Sequence, residues 1–187
     1  MGTSVNQSSP RTLNWKAAQA GYRDPSVSVN RIASEVWRAA LNQETGNIAQ
    51  LLSQPIVARI GALVAESSSS MDLARKSAFE IARSKQSSLA TELARRACIQ
   101  VAGARDGPAA FTARLFAEAT AYLVSRDLPG FVGLGRLHDV AQSTSFKSSL
   151  SQYAAEVATR AKHPSQLTER NWPDHVKNVI RLLRGSR

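Results

Sequence analysis

The chain reads as all-α, a compact bundle of about seven or eight helices, on three observations. Apolar residues recur at spacings of three and four along most of its 187 residues. No segment alternates apolar and polar residues as a half-buried strand would. Alanine makes up much of the 43% apolar share, against three Trp, three Tyr and five Phe, which suits closely approaching helices around a few large anchors. The length fits one domain. Residues 1–11, polar and Ser-rich, read as a disordered arm, and 12–187 as a single helical domain ending in a basic C-terminal helix.

The elements follow in order. A short helix is expected from Leu13 to Ala20, stopped by Gly21 and the "RDP" after it. In "SVSVNRIASEVWRAALNQ" the residues Val29, Ile32, Ala33, Val36 and Ala40 share one face of an amphipathic helix. "ETGN" and "SQP" bracket a single short turn of helix. Pro55, suited to a first helical turn, opens "PIVARIGALVAE". The serines at 67–70 form a linker, with Ser70 capping a helix that starts at Met71 and runs to about 84. Further helices are expected at about 87–102, ending at Gly103, and at about 108–126, with Phe111, Leu115, Ala119 and Tyr122 on one stripe. "RDLPGFVGLGRLHD" interrupts with Pro129 and its glycines. A long helix then opens near Thr144, with Phe146, Leu150, Tyr153, Ala154, Val157 and Ala161 on one face, and "KHPSQ" ends it. The last helix starts around Asn171.

Charge narrows the function. Twenty-four Lys and Arg against fourteen Asp and Glu give a net charge of +10, and Arg outnumbers Lys. That balance points to a polyanionic partner, nucleic acid before an anionic membrane surface. The excess is concentrated at the end: residues 160–187 hold seven cations and two acids, half of the whole surplus. The single Cys98 forms no internal disulfide and fits a reducing, cytoplasmic setting. No apolar run is long enough for a membrane span, and the N-terminus lacks the apolar core of a signal peptide. His138, His163 and His175 share no ligand spacing, so neither a metal nor another cofactor is expected.

Two readings compete for "RNWPDHVKNVIRLLRGSR". The spacing of Arg170 and His175 resembles the R-x4-6-H signature of HEPN-type ribonucleases, which are small all-helical proteins. The resemblance covers six residues. It implies a metal-independent ribonuclease in which Arg170 stabilises phosphate charge and His175 transfers a proton. The other reading is structural. Pro173 marks a helix start capped by Asn171, which leaves Arg170 in the loop before it. On a helix the five-residue separation would turn roughly 500°, leaving the two side chains about 140° apart. Val176, Val179, Ile180 and Leu183 then form a docking stripe, with Lys177, Arg181 and Arg184 as a cationic stripe beside it.

The second reading sets the expectation: a non-enzymatic accessory subunit that binds nucleic-acid backbone within a nucleoprotein or ribonucleoprotein assembly, docked on a protein partner or on its own copies. The expected contacts are Lys177, Arg181, Arg184 and Arg170, joined by the pairs Arg95-Arg96 and Arg75-Lys76. A purely protein-binding helical adaptor is the other alternative. Two weaker features remain. "LARKSAFEIARSKQSSLATELARRA" has tolerable helix-turn-helix spacing, and the glycines of "PGFVGLGRLHD", with Arg136 and His138, could meet a phosphate.

Overall fold

The structure, a computed structural model, describes residues 10–41, 47–67, 69–84 and 88–185, with side chains of the first helix from Trp15 onward. Nine α-helices occur among the described residues and no strand, so the all-α bundle is observed. They are α1 (Pro10–Arg23), α2 (Val29–Leu41), α3 (Ile48–Leu52), α4 (Pro55–Glu66), α5 (Ser70–Ser84), α6 (Leu89–Gln100), α7 (Gly107–Ser125), α8 (Val140–Arg160) and α9 (Trp172–Leu183), with a 3-10 turn at Leu128–Phe131. Most of the arm expected over residues 1–11 lies outside the described residues, and α1 begins at Pro10.

The bundle is built around α7. Two adjacent i, i+4 ridges bury it on neighbouring sides: Phe111, Leu115, Ala119 and Leu123, then Thr112, Phe116, Thr120 and Val124. Tyr122, expected on that stripe, is half exposed, because the ridge continues through Leu123 instead. A helix nearly encircled by neighbours has no single apolar face for sequence periodicity to reveal. Trp37 of α2 packs on Phe116, ring centroids 5.3 Å apart, and donates its indole N–H to Thr120. Trp172 of α9 packs on Phe111 at 5.9 Å and donates to the Leu52 carbonyl, which ties α9 to the end of α3. Tyr22 of α1 meets Phe131 and Phe146 edge-on, closing the other end of the core.

Several boundaries differ from the sequence expectation, each for a local reason. Gly21 does not stop α1. It lies inside the helix where a Cβ would stand 2.5 Å from Cγ1 of Ile32, so its bareness lets α1 and α2 approach. Ser70 is the first residue of α5, and the hydroxyl of Ser69 accepts from the Asp72 N–H. Ser88 and Thr91 form a reciprocal capping box at α6. The long helix starts at Val140, four residues ahead of Thr144, because Asp139 caps it by accepting from the Gln142 N–H at 2.7 Å.

The glycine-rich loop is pinned rather than open. Gly135, at φ +56, lies directly over the Arg23 carbonyl, where no side chain has room. Arg136 donates to the carbonyls of Asp24 and Val27, and its guanidinium sits 5.0 Å above the Phe146 ring. Arg136 therefore joins this loop to the turn between α1 and α2, through two bonds from Nη2.

Candidate nucleic-acid interface

The C-terminal helix forms as its sequence pattern requires. Pro173 lies in the first turn of α9, and Trp172, His175, Val176, Val179, Ile180 and Leu183 are buried. Lys177, Arg181 and Arg184 are exposed beside them. Asn171 occupies the N-cap position, but its side chain makes no capping bond. Its Oδ1 accepts from the Thr168 N–H and its Nδ2 donates to the Gln166 carbonyl, so it organises the turn before the helix. That corrects the expectation that Asn171 caps.

At the other end of α9, α2 supplies the cap. The Ser34 hydroxyl donates to the Leu183 carbonyl at 2.8 Å, and Arg38 donates to the Arg184 carbonyl at 2.6 Å. A guanidinium among the last carbonyls also complements the negative end of the helix dipole. The packing brings Arg38 of α2 to the end of α9, beside Arg184, while Arg31 lies exposed one turn before Ser34 on the same helix. Arg38 thus joins the end of the stripe formed by Lys177, Arg181 and Arg184. Arg38 pairs with Glu35, and Lys177 with Asp174 at 3.1 Å, where both partners are about four-fifths exposed. Such a solvated pair contributes little and yields readily to a stronger anion. Arg181 bonds the Asn178 amide oxygen, and the side chains of Arg31 and Arg184 have no acid partner among the described residues.

The expected supporting pairs are engaged within the chain. Glu92 binds both Arg95 and Arg96, at 3.0 and 2.8 Å, and the two guanidinium groups pull its pKa down to about 2. Asp72 binds both Arg75 and Lys76, and its carboxyl is held below the ordinary range by the bond from Lys76 first, then one from Ser67, with Arg75 contributing least. Lys76 also donates to the Glu66 carbonyl and the Ser67 hydroxyl, closing the end of α4. The helix-turn-helix candidate corresponds to α5 and α6, whose connecting residues 85–87 lie outside the described residues. Its second helix, α6, packs against α4, α5 and α7 and so does not project into a groove.

The structure does not assemble Arg170 with His175. Arg170 is exposed on the turn before α9 and His175 is 6% exposed. The His175 Nε2 lies 3.3 Å from the Thr112 hydroxyl, which itself donates to the Pro108 carbonyl. Its ring rests 4.8 Å from that of His163 and 5.7 Å from that of Trp172. Burial, with the neighbouring His163 second, pushes its pKa down to about 4. His175 forms part of the floor of an open depression of about 320 Å³, and the cation that lines it is Lys162, not Arg170.

No other chemistry gathers among the described residues. No group of three or more His, Cys, Asp or Glu is placed to hold a metal ion, and no helix is long and apolar enough to cross a membrane. Cys98 is buried in α6, where desolvation pushes its pKa up to about 12 and leaves it a poor nucleophile. Sequence reasoning missed Arg38. Nothing in its own helix marks it, because its place beside Arg184 depends on the contacts of Arg38 and Ser34 with residues 146 and 149 positions away in the chain. No protein-family model, no curated protein and no solved structure matches this chain.

Proposed function

We propose that this chain is a non-enzymatic, basic helical subunit that binds the phosphate backbone of nucleic acid, inside a larger nucleoprotein or ribonucleoprotein assembly. The observation that supports it is the exposed stripe of Lys177, Arg181 and Arg184 on α9, with Arg38 of α2 at its end, where the acids paired with these cations among the described residues are only Glu35 and Asp174. Arginines on rigid elements suit phosphate because the planar fork donates two parallel bonds. Contacts of this kind track the backbone and carry little sequence preference.

The test is binding of the full chain to labelled single-stranded RNA in EDTA, over a series of salt concentrations. Affinity should fall linearly with salt on logarithmic axes, by about 0.7 in slope for each phosphate neutralised on a single strand. Changing Lys177, Arg181 and Arg184 together to Gln should flatten that slope by about 2, while the RNA stays intact. Binding with no salt dependence would overturn the proposal. So would RNA cleavage by the native chain that His175→Ala abolishes.

A further inference from the structure

A second surface lies on α5. This helix packs mainly against α4 and α6 and buries only Leu73 and Ser77. Its outer side carries Met71, Arg75, Phe79 and Arg83, each four residues from the last, so that an apolar side chain and a guanidinium alternate along one ridge. Met71 is 82% exposed and Phe79 65%, in a protein that otherwise buries most of its large apolar side chains. The Arg75 side chain is 82% exposed and its pairing with Asp72, at 3.3 Å, is solvated and yields readily to a phosphate, and Arg83 makes no ion pair among the described residues. Ala78 and Ala82 beside Phe79 are small and exposed.

We infer that this ridge is a stacking platform for single-stranded nucleic acid: Phe79 takes the face of an unpaired base while Arg75 and Arg83, one turn before and one turn after, take the phosphates that flank it. The inference rests on the nucleic-acid reading above and gives it a strand class. Alternation decides among the partners. Arg75 and Arg83 stand eight residues apart, about 12 Å along the helix, so their long side chains can close from both sides on the phosphates flanking a base seated on Phe79, and a strand presents base and phosphate in the same alternation. A membrane-bound helix segregates its apolar and charged residues onto different faces. Here insertion of Met71 and Phe79 would drag Arg75, which stands between them, to the same depth. The neighbouring Glu80 is held by Arg59, which also binds Glu169, so α5 and the turn bearing Arg170 are tied through one guanidinium.

The experiment compares binding of a labelled oligothymidylate and of an abasic phosphodiester strand of equal length to the full native chain, Phe79→Ala, Phe79→Trp and Arg75→Gln/Arg83→Gln. All three substituted positions are exposed, and circular dichroism checks the fold of each variant. Phe79→Ala should weaken oligothymidylate binding roughly 5- to 100-fold with an unchanged salt slope, and should leave the abasic strand unaffected. Phe79→Trp should retain affinity, and its indole emission should be quenched on binding. The double arginine variant should lower the salt slope by about 1.4. If the native chain binds oligothymidylate and Phe79→Ala binds equally well, the platform is overturned while the nucleic-acid reading stands. If the native chain binds neither strand, both fall. Loss of binding to anionic phosphatidylserine vesicles in Phe79→Ala, with strand binding unchanged, would reassign the ridge to a membrane surface.

Discussion

His175 shows how one side chain can be read as chemistry and used as structure. Its ring is enclosed by Thr112 of α7, by His163 and the Lys162 backbone on the segment after α8, and by Trp172 on its own helix. The folded protein keeps it neutral down to about pH 4, whereas the unfolded chain protonates it near its ordinary value of 6.5. Between those values the unfolded state binds more protons, so stability is full above about pH 6.5 and declines as pH falls toward 4. The loss should be on the order of 3 kcal/mol, read as a falling Tm across that window. His175→Gln should remove most of the decline there while leaving the steeper loss below about pH 4.5, where the Glu92 carboxylate begins to protonate in the unfolded chain. A Tm in His175→Gln that still falls between pH 6.5 and 4.5 as in the native chain would show that another group titrates. The Arg170–His175 spacing was fully visible in the sequence, but the burial of His175 was not, because its neighbours Thr112 and His163 come from other elements.

Helix by helix, the sequence was most legible where a helix has one wet side. The stripes of α2 and α9 stand almost residue for residue, since each buries one face and solvates the other. It was least legible where packing sets the limit. Gly21 reads as a stop in one dimension, yet it is the point where α1 meets Ile32 of α2. Replacing it by Ala therefore sets two effects in opposition. Helix propensity favours Ala by about 1 kcal/mol. A Cβ at 2.5 Å from a branched, buried side chain forces repacking that costs about 1–3 kcal/mol. The clash should prevail, lowering Tm, whereas Gly130→Ala, with nothing within 4 Å, should leave it unchanged or slightly raised. Equal melting of the two variants would show that α1 and α2 are not held at this approach. The same dependence on packing separates the basic residues. Arg95, Arg96, Arg75 and Lys76 look like free pairs in sequence, yet each pair meets an acid three or four residues back on its own helix.

Across the whole molecule, α7 connects the parts. Trp37 from the first half and Trp172 near the end pack on Phe116 and Phe111 of this one helix, and both are fully buried. A shared central helix makes separate unfolding of either side costly, so the described helices should melt as one unit. Far-UV circular dichroism, which reports on every helix, and Trp emission, weighted toward these two indoles, should then give coincident thermal transitions. Two separated transitions would show that the helices do not unfold as one unit.

The helical class, the order of the helices, the excess of cations and their concentration near the C-terminus all follow from the sequence alone, because they depend on composition and on periodicities within single segments. Which cations remain free, and which of them stand together, was decided only by the tertiary structure. Arg38 joins Arg184 because Ser34 and Arg38 cap α9 across almost the full length of the chain. Arg136 is taken out of the free set by the turn after α1, and His175 by the flank of α7. Contacts between residues so far apart in sequence leave no local pattern, since each depends on how two already formed helices pack.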